Sequence, residues 1–253
     1  MIVAVINLKG GVGKSTTASA LAYGATMRGK RVLSVDLDGQ RSLSFLMKAD
    51  EQAPSILELL LGKISVAETI QSTEQGELIP ASPTLAGADL VVTGKNMKLR
   101  LQQILKPIKN NYDLIILDLP PGLGIVTLNA LTTADCAIIP ATPDILSIKG
   151  LDDINQLVEA VREDSNSSLY IAGVLLTRWN SRSVISRDLT NVIAEAAEHI
   201  GTKVFKAKIR EAVAVREAQV LRQNLLQYAP KSGVADDYLS FVNEFLNEFL
   251  EGK

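Results

Sequence analysis

The chain has 253 residues, of which 47% are hydrophobic and 21% are charged, and its formal net charge is −2. These values are typical of a globular protein, and a chain this long buries roughly three quarters of its extended surface. The single cysteine, Cys136, excludes a disulfide framework and suits a reducing cytosol. The single histidine, His199, is interpreted as an ordinary helix-surface residue and not as part of a Ser-His-Asp triad.

The sequence shows no sign of targeting or of a membrane-spanning segment. Its first positive charge, Lys9, lies inside a glycine-rich loop, and nothing resembling a signal-peptide cleavage site follows. No apolar run approaches the ~20 residues that a membrane-spanning helix needs. We therefore expect a cytoplasmic protein. Because the net charge is slightly negative, any nucleic-acid binding would require a local basic patch.

Predicted strands and helices alternate along the chain. Apolar runs predict buried strands over residues 2–7, 30–36, 77–80, 112–118, 134–141 and 169–177. Periodicity and capping signals predict helices over residues 17–29, 55–61, 65–70, 96–108, 147–163, 183–200, 211–224 and 234–251. Residues 84–94 carry no clear pattern. The alternation predicts a single doubly wound α/β domain over residues 1–253, with a mostly parallel sheet and helices on both faces.

A glycine-rich loop joins the first predicted strand to the first predicted helix, which is the context that a phosphate-binding loop requires. Its glycines allow backbone N–H groups to surround an anion at a helix N-terminus. Lys14 would reach the β- and γ-phosphates of a nucleotide, Ser15 would help hold Mg²⁺, and Thr16 would contact the α-phosphate. The predicted nucleotide-binding residues of this loop are Lys9, Gly10, Gly11, Val12, Gly13, Lys14, Ser15 and Thr16.

The loop has a second lysine, Lys9, ahead of its glycines. With it the loop resembles the deviant Walker A motif of the ParA/MinD family of P-loop ATPases. In that family the extra lysine reaches across a dimer interface to the nucleotide of the other subunit. The resemblance implies an ATP-dependent homodimer with ATP and Mg²⁺ as ligands, and catalytic roles for Lys9 and Lys14. The alternative is that Lys9 is a solvated loop lysine.

Three carboxylates complete the predicted site. Asp118 ends an apolar strand, where a Walker B acid would bind Mg²⁺, and residues 112–124 closely resemble the ParA version of this segment. Asp36 and Asp38 end the second predicted strand, in the crevice where open sheets bind ligands. The family pattern D-x-D-P-Q implies that Asp38 positions the attacking water and that Asp36 lies nearer the metal. Gly39 replaces the usual proline and Arg41 a small residue, so we expect a looser loop. We also expect slow intrinsic hydrolysis, because no other side chain in the sequence has the character of a strong base.

Two further sets of residues are assigned to the nucleotide or to the dimer. Arg178, Ile209 and Arg210 are candidates for contact with adenine, because residues 173–178 resemble the strand that precedes the family's base-contacting loop. Lys149, at the start of a helix beside the expected dimer face, is either a second interfacial cation or a solvent-exposed lysine.

Two stretches are basic against the global charge balance. Residues 178–187 contain three arginines and no acid, and residues 203–216 contain five cations and one acid. A local excess of this kind favours phosphate-backbone binding, although a solvated surface is an equally good interpretation of charge alone. ParA proteins bind nonspecific DNA near the corresponding stretch. The resemblance therefore implies DNA contacts by Arg182, Arg187, Lys203, Lys206, Lys208 and Arg216.

The last predicted helix separates two branches of the family. A MinD-like protein ends in a basic amphipathic helix that binds anionic membrane, but residues 241–251 have an acidic polar face. We expect this helix to pack its Phe and Leu residues on the domain, and we expect no membrane partner. No helix-turn-helix precedes the loop, so operator binding is not expected.

The resulting hypothesis is a ParA-like ATPase on the nucleoid. A ParB-like or other adaptor would stimulate hydrolysis, and the cargo would be a plasmid, a chromosome or a protein organelle such as a carboxysome. The alternatives are a membrane-cycling ATPase like MinD and an ATP-dependent small-molecule ligase on the same fold.

Overall fold

The computed structural model describes residues 1–87 and 97–252, and eight strands of this part form one sheet. In chain order they are β1 Ile2–Val5, β2 Val32–Asp36, β3 Gln71–Thr73, β4 Gly76–Ile79, β5 Leu114–Asp118, β6 Cys136–Ala141, β7 Tyr170–Trp179 and β8 Val204–Arg210. The spatial order is β3-β4-β2-β5-β1-β6-β7-β8. Only the β3–β4 pair in it is antiparallel.

The strand order changes direction at β1. Strands β5, β2 and β4 extend the sheet on one side of β1, and strands β6, β7 and β8 extend it on the other side. Ligands of open α/β sheets bind at such a switch point, outside the carboxyl ends of the strands. The loop after β1 and the acids at the ends of β2 and β5 therefore meet at one edge of the sheet.

Helices cover both faces of this sheet. They are α1 Lys14–Thr26, α2 Ser42–Leu46, α3 Ile56–Leu60, α4 Val66–Thr69, α5 Arg100–Leu105, α6 Ile125–Thr133, α7 Ile145–Asp164, α8 Val184–His199, α9 Val213–Val220, α10 Leu225–Tyr228 and α11 Gly233–Phe245. A π-helical segment, Leu246–Glu251, continues α11, and short 3₁₀ turns lie at Pro83–Gly87, Met97–Leu99 and Lys109–Asn111.

The core consists of two apolar layers, one on each face of the sheet. Successive residues of β1 alternate between them, because side chains of a strand point to opposite faces: Ile2 and Ala4 belong to one layer, and Val3 and Val5 to the other. The first layer is completed by α3, α5, α6, α7 and α8. The second is completed by α1, α2, α9, α10 and α11, with Phe241 and Phe245 fully buried.

The doubly wound, mostly parallel α/β fold predicted from the sequence is confirmed. The predicted helix over residues 96–108 is broken into a 3₁₀ turn and α5, and its first residue lies outside the described residues, as do residues 88–94 of the unassigned stretch. Strands β3 and β8 and helices α2 and α6 were not predicted. Among the described residues, no helix is both long enough and apolar enough to cross a membrane.

Candidate nucleotide site

The glycine-rich loop is held between the ends of three strands. Asn7, just after β1, accepts a hydrogen bond from the backbone N–H of Lys9 (2.9 Å) and donates one to the carbonyl of Pro140 at the end of β6 (2.7 Å). Thr177 of β7 donates its hydroxyl to the carbonyl of Val12 (2.8 Å). These buried hydrogen bonds fix the loop without using the N–H groups that face its interior.

Two glycines of the loop adopt a conformation that side chains disfavour. Gly11 has φ 76° and Gly13 has φ 93°, both in the left-handed region. Gly13 is the N-cap of α1 and provides no side-chain hydrogen bond to the first turn. The N-terminal N–H groups of α1 therefore remain available to an anion, in the field of the helix dipole.

Lys14 lies inside this loop. It is buried, and its ammonium donates to the carbonyl of Lys9 (3.2 Å). Burial lowers the pKa of Lys14, and the nearby carboxylates of Asp118 and Asp38 oppose that decrease. The side chain thus lies between the loop and the acids, where it could bind phosphate oxygens.

Asp36 and Asp118 are register partners at the ends of the adjacent strands β2 and β5, and both are fully buried. Asp36 accepts hydrogen bonds from the backbone N–H of Asp38 (3.1 Å) and from both the N–H (2.7 Å) and the hydroxyl (2.6 Å) of Ser44. Burial raises the pKa of Asp36 to about 6 against these hydrogen bonds. Ser44 thereby anchors the start of α2 to the end of β2.

Neither oxygen of the Asp118 carboxylate forms a well-placed hydrogen bond within the described part of the chain, although the hydroxyl of Ser15 lies close enough to favour its charged form. Burial raises its pKa well above the usual range, and the charge of Asp36 adds to that effect, while Ser15 and Lys14 oppose it. An unpaired buried carboxylate beside a second acid is costly for a folded protein. Its position is explained if a cation is bound there during function.

Two hydrogen bonds hold the loop that carries Asp38, and the looser geometry expected from Gly39 and Arg41 stays a prediction. Asp38 accepts from the N–H of Gln40 with its side chain (2.9 Å) and from the N–H of Arg41 with its carbonyl (2.8 Å). Arg41 adopts φ 58°, and its backbone caps α2. These hydrogen bonds keep the half-buried carboxylate of Asp38 at the open side of the site.

The donor set fits a magnesium ion that is shared with a nucleotide. Within residues 1–87 and 97–252 there is no group of three or more His, Cys, Asp or Glu side chains that could hold a metal by itself. Mg²⁺ is commonly held by one or two carboxylates together with substrate phosphates and waters. The unpaired oxygens of Asp118 and the nearby hydroxyl of Ser15 supply that kind of partial coordination.

A cavity of about 860 Å³ opens from the glycine-rich loop. Its wall includes Gly10 to Thr16 on one side and Asp38 on another, and it extends to Arg178, Ile209 and Arg210. The three predicted adenine contacts therefore lie in the same cavity as the loop. The guanidinium of Arg210, however, is paired with Asp237 of α11 (2.6 Å), which constrains its reach.

Comparisons with known proteins agree with this geometry. A family model described as an AAA domain matches residues 1–171. The chain is 36% identical to the sporulation initiation inhibitor protein Soj of Bacillus subtilis, over 96% of this chain and 97% of that protein. It is 33% identical to the chromosome partitioning protein ParA of Myxococcus xanthus, over 97% of this chain and 87% of that protein.

The chain belongs to the ParA/MinD family of P-loop ATPases. A similar solved structure is that of cobyrinic acid a,c-diamide synthase from Mycobacterium smegmatis with a bound ATP analogue and magnesium. It has a TM-score of 0.86 and 31% sequence identity, and the match covers 100% of this chain and 96% of that chain.

The family's signature lysine, Lys9, is paired within its own chain. Its ammonium bonds the carboxylate of Asp144 (2.7 Å), the N-cap residue of α7, which also accepts from Thr142 and from the N–H of Ser147 (2.9 Å). The pKa of Asp144 is held at about 2, because these hydrogen bonds and Lys9 outweigh the opposing effect of burial. Lys9 is exposed in this ion pair, so the solvated loop lysine and the interfacial lysine both stay predictions.

The six residues assigned to DNA do not form one free basic surface. Lys203 is paired with Glu248, and Lys208 lies over the ring of Trp179 (5.0 Å). Arg216 lines the nucleotide cavity. The remaining three, Lys206, Arg182 and Arg187, are exposed. Counting charges along residues 203–216 therefore overestimated the free positive charge, because acids of α11 lie beside this segment.

Several residues of the site were missed by sequence reasoning. A terminal polar residue after an apolar run could have indicated Asn7, and a Thr-Pro-Asp sequence could have indicated the cap at Asp144. Ser44 and Thr177 gave no such signal, because their roles depend on contacts between distant segments. Lys149 is exposed on α7, and its role at a dimer face stays a prediction.

Proposed function

We propose that this protein is an ATP-driven partition or positioning switch of the ParA type. The observation that carries the proposal is the arrangement around Lys14: a glycine-rich loop with a second lysine lies beside the buried carboxylate of Asp118, whose oxygens form no well-placed hydrogen bond within the described residues. Membership of the ParA/MinD family supports a nucleoside triphosphate as the ligand of that arrangement.

In the proposed mechanism, the N-terminus of α1 and the ammonium of Lys14 bind the phosphates of ATP. Ser15 and Asp118 hold Mg²⁺, which when bound would neutralise charge on the phosphates. Asp38 orients the attacking water, and its half-buried position at the cavity wall suits this task. Asp36 keeps the catalytic loop in place through Ser44.

The proposed ATP state is a dimer in which Lys9 of each subunit contacts the nucleotide of the other. For this, Lys9 must leave Asp144. The Lys9 ammonium does not lose its negatively charged partner in this change, because phosphate oxygens replace the carboxylate of Asp144. An exposed ion pair contributes little, about 0–1 kcal/mol, so the pair with Asp144 does not prevent the change.

The dimer is proposed to bind nonspecific DNA in the cytoplasm and thereby to associate with the nucleoid. Of the six residues, Arg182, Arg187, Lys206 and Arg216 are exposed and available for phosphate contacts, and Lys203 and Lys208 would add to them after rearrangement. Doubling these contacts in a dimer strengthens binding because affinity depends on the number of phosphates neutralised. An adaptor protein would stimulate hydrolysis and connect the cycle to a cargo.

The test is binding to random-sequence duplex DNA with ATP, with ADP and without nucleotide, across a salt series. Asp38→Ala should retain ATP and trap the dimer. ATP-dependent binding that persists in this variant and weakens steeply with salt is expected. Binding to anionic vesicles in place of DNA would contradict the proposal and favour a membrane-cycling ATPase.

A small-molecule ligase is the second candidate, because a structure 31% identical to this chain is that of cobyrinic acid a,c-diamide synthase. The presence of the second loop lysine, Lys9, and the identity to Soj and ParA favour the partition switch. Binding of ATP without dimerisation, DNA binding or vesicle binding would support the ligase.

A further inference from the structure

Helix α9 forms a wall of the nucleotide cavity. The cavity-lining residues of this helix and its flanks are spaced three and four apart, as expected for one helical face. They are Ala212, Val215, Arg216, Gln219 and Arg222. Helix α9 is therefore close to any ligand that is bound in the glycine-rich loop.

One side chain of this face bonds the glycine-rich loop directly. The amide Nε2 of Gln219 donates to the hydroxyl oxygen of Thr16 across 3.1 Å, and the two residues are 203 positions apart in the chain. Thr16 is the loop residue whose hydroxyl we assign to the α-phosphate. Both side chains are only partly buried, so a ligand can reach them.

The direction of this hydrogen bond, with Gln219 as donor and Thr16 as acceptor, determines which further hydrogen bond the Thr16 hydroxyl can make. A hydroxyl has one proton to donate and two lone pairs to accept with. When its oxygen accepts from an amide N–H, the hydroxyl proton stays free for another acceptor. A phosphate oxygen in the loop is such an acceptor, and a hydrogen bond to a charged oxygen is stronger than one between neutral groups.

The segment that follows the C-terminal end of α9 is hydrogen-bonded to α1, the helix that contains Thr16. Asn224, the N-cap of α10, donates to the carbonyl (2.9 Å) and the hydroxyl (2.8 Å) of Ser19 in α1, and to the side chain of Gln75 (3.1 Å). These groups are buried. Because α9 is held to α1 beyond its end, the amide of Gln219 is kept at a constant distance from Thr16.

We propose that Gln219 is a positioning residue for the nucleotide: it orients the hydroxyl of Thr16 so that its proton points to the α-phosphate. The inference rests on the proposed nucleotide site and adds a residue of α9 to it. Gln219 does not touch the reacting γ-phosphate in this assignment, so it contributes to affinity and not to the chemical step.

The experiment measures ADP affinity in the presence of Mg²⁺ by titration calorimetry. Gln219→Leu removes the amide and should weaken ADP binding about two- to tenfold, the worth of one neutral hydrogen bond. Gln219→Glu should weaken it further, because a carboxylate can only accept hydrogen bonds. It would accept the hydrogen bond of the Thr16 hydroxyl, which is then lost to the phosphate, and it would place a negative charge near the phosphates. Gln223→Leu, one turn further on and outside the cavity, is the matched control and should match the wild type.

A double-mutant cycle separates positioning from a structural role. In a Thr16→Val background, Gln219→Leu should have no further effect on ADP affinity; in Thr16→Ser, which keeps the hydroxyl, its effect should return. An equal effect of Gln219→Leu in all three backgrounds would overturn the inference. The kcat of ATP hydrolysis at saturation should stay within twofold in Gln219→Leu, while KM rises.

Failure of this inference is distinguishable from failure of the proposed function. If the wild-type protein binds neither ADP nor ATP, the proposed function fails. If the wild type binds ADP and Gln219→Leu binds it equally well, the proposed function stands and the role of Gln219 is wrong.

Discussion

At the scale of single residues, the site combines one acid that is satisfied with one that is not. Asp36 accepts three hydrogen bonds, whereas Asp118, its register partner on β5, accepts no well-placed one within the described residues. The sequence indicated both acids from their places at strand ends. It could not indicate the difference between them, because Ser44 reaches Asp36 only after α2 has folded back on β2.

Asp118→Asn is expected to stabilise the protein in the absence of nucleotide and metal. Burial and the charge of Asp36 disfavour the ionised form of Asp118, so the neutral amide should raise the free energy of unfolding by about 1–3 kcal/mol wherever Asp118 is ionised. The measurement is chemical denaturation in EDTA, followed by a repeat with Mg²⁺ and ATP. The wild type should gain stability from the ligands, and the variant should gain much less.

This gain should depend on pH in a defined direction. The pKa of Asp118 is raised in the folded state, so folding takes up a proton at pH values between the unfolded and the folded pKa, and stability is lost as pH rises through that window. The advantage of Asp118→Asn should therefore be small near pH 4 and grow towards neutral pH. An advantage that is constant across this range would contradict the assignment.

At the scale of elements, strand β8 and helix α11 pack together, and each accounts for the pattern of residues in the other. In β8, Phe205 and Ile209 are buried while Lys206 and Arg210 are exposed, which is the period of a strand. The sequence analysis assigned this stretch by charge and missed the alternation. The carboxylates of α11 bind the backbone of β8: Glu244 accepts from the N–H groups of Lys206 (2.9 Å) and Ala207 (3.1 Å).

Glu244→Gln should therefore destabilise the protein by about 0.5–2 kcal/mol. The amide keeps one acceptor oxygen, but its NH₂ group then faces a backbone N–H, so one donor of β8 loses its partner. Thermal denaturation measures the change. Glu251→Gln is the control on the same helical segment, because Glu251 only pairs with Lys30 at the surface and its loss should be negligible. Equal effects of the two variants would contradict the role of Glu244.

Two helix glycines are expected to respond oppositely to alanine. A Cβ at Gly24 in α1 would lie 2.9 Å from both methyl groups of Val242 in α11, so Gly24→Ala should cost about 1–3 kcal/mol through overpacking. A Cβ at Gly150 in α7 meets nothing within 4 Å, so Gly150→Ala should add about 0.5–1 kcal/mol. Urea denaturation midpoints of both variants test this close contact of α1 with α11.

At the scale of the whole molecule, Asp144 is expected to restrain dimer formation. Asp144→Asn keeps an acceptor for the N–H of Ser147 but loses the charge that holds Lys9. Since an exposed ion pair is worth about 0.2–1 kcal/mol and each dimer breaks two of them, the ATP-dependent dimer should tighten about 2- to 30-fold. Light scattering with ATP in the Asp38→Ala background measures it. Asp164→Asn, which removes a distant pair with Lys98, should leave the dimer unchanged.

The fold and the phosphate loop were predictable because both follow from patterns of neighbouring residues in the sequence. The six predicted strands, the glycine spacing and the acids at strand ends need only neighbouring residues to be recognised. Contacts between distant segments were not predictable: Lys9 meets Asp144, Gln219 meets Thr16, and Asp237 of α11 meets Arg210 of β8. Each of these contacts depends on how the helices pack. The local spacing of residues in the sequence does not determine that packing.

The two outer strands of the sheet limit how copies of this chain can associate. β3 has three residues, and carboxylates of α11 bind three backbone N–H groups of β8, those of Lys206, Ala207 and Arg210. A short edge strand and occupied backbone donors disfavour the addition of another chain's strand at either border of the described sheet. In the dimer that we propose, contacts through Lys9 would lie at the glycine-rich loop, away from both borders, so that pairing would not continue by strand addition.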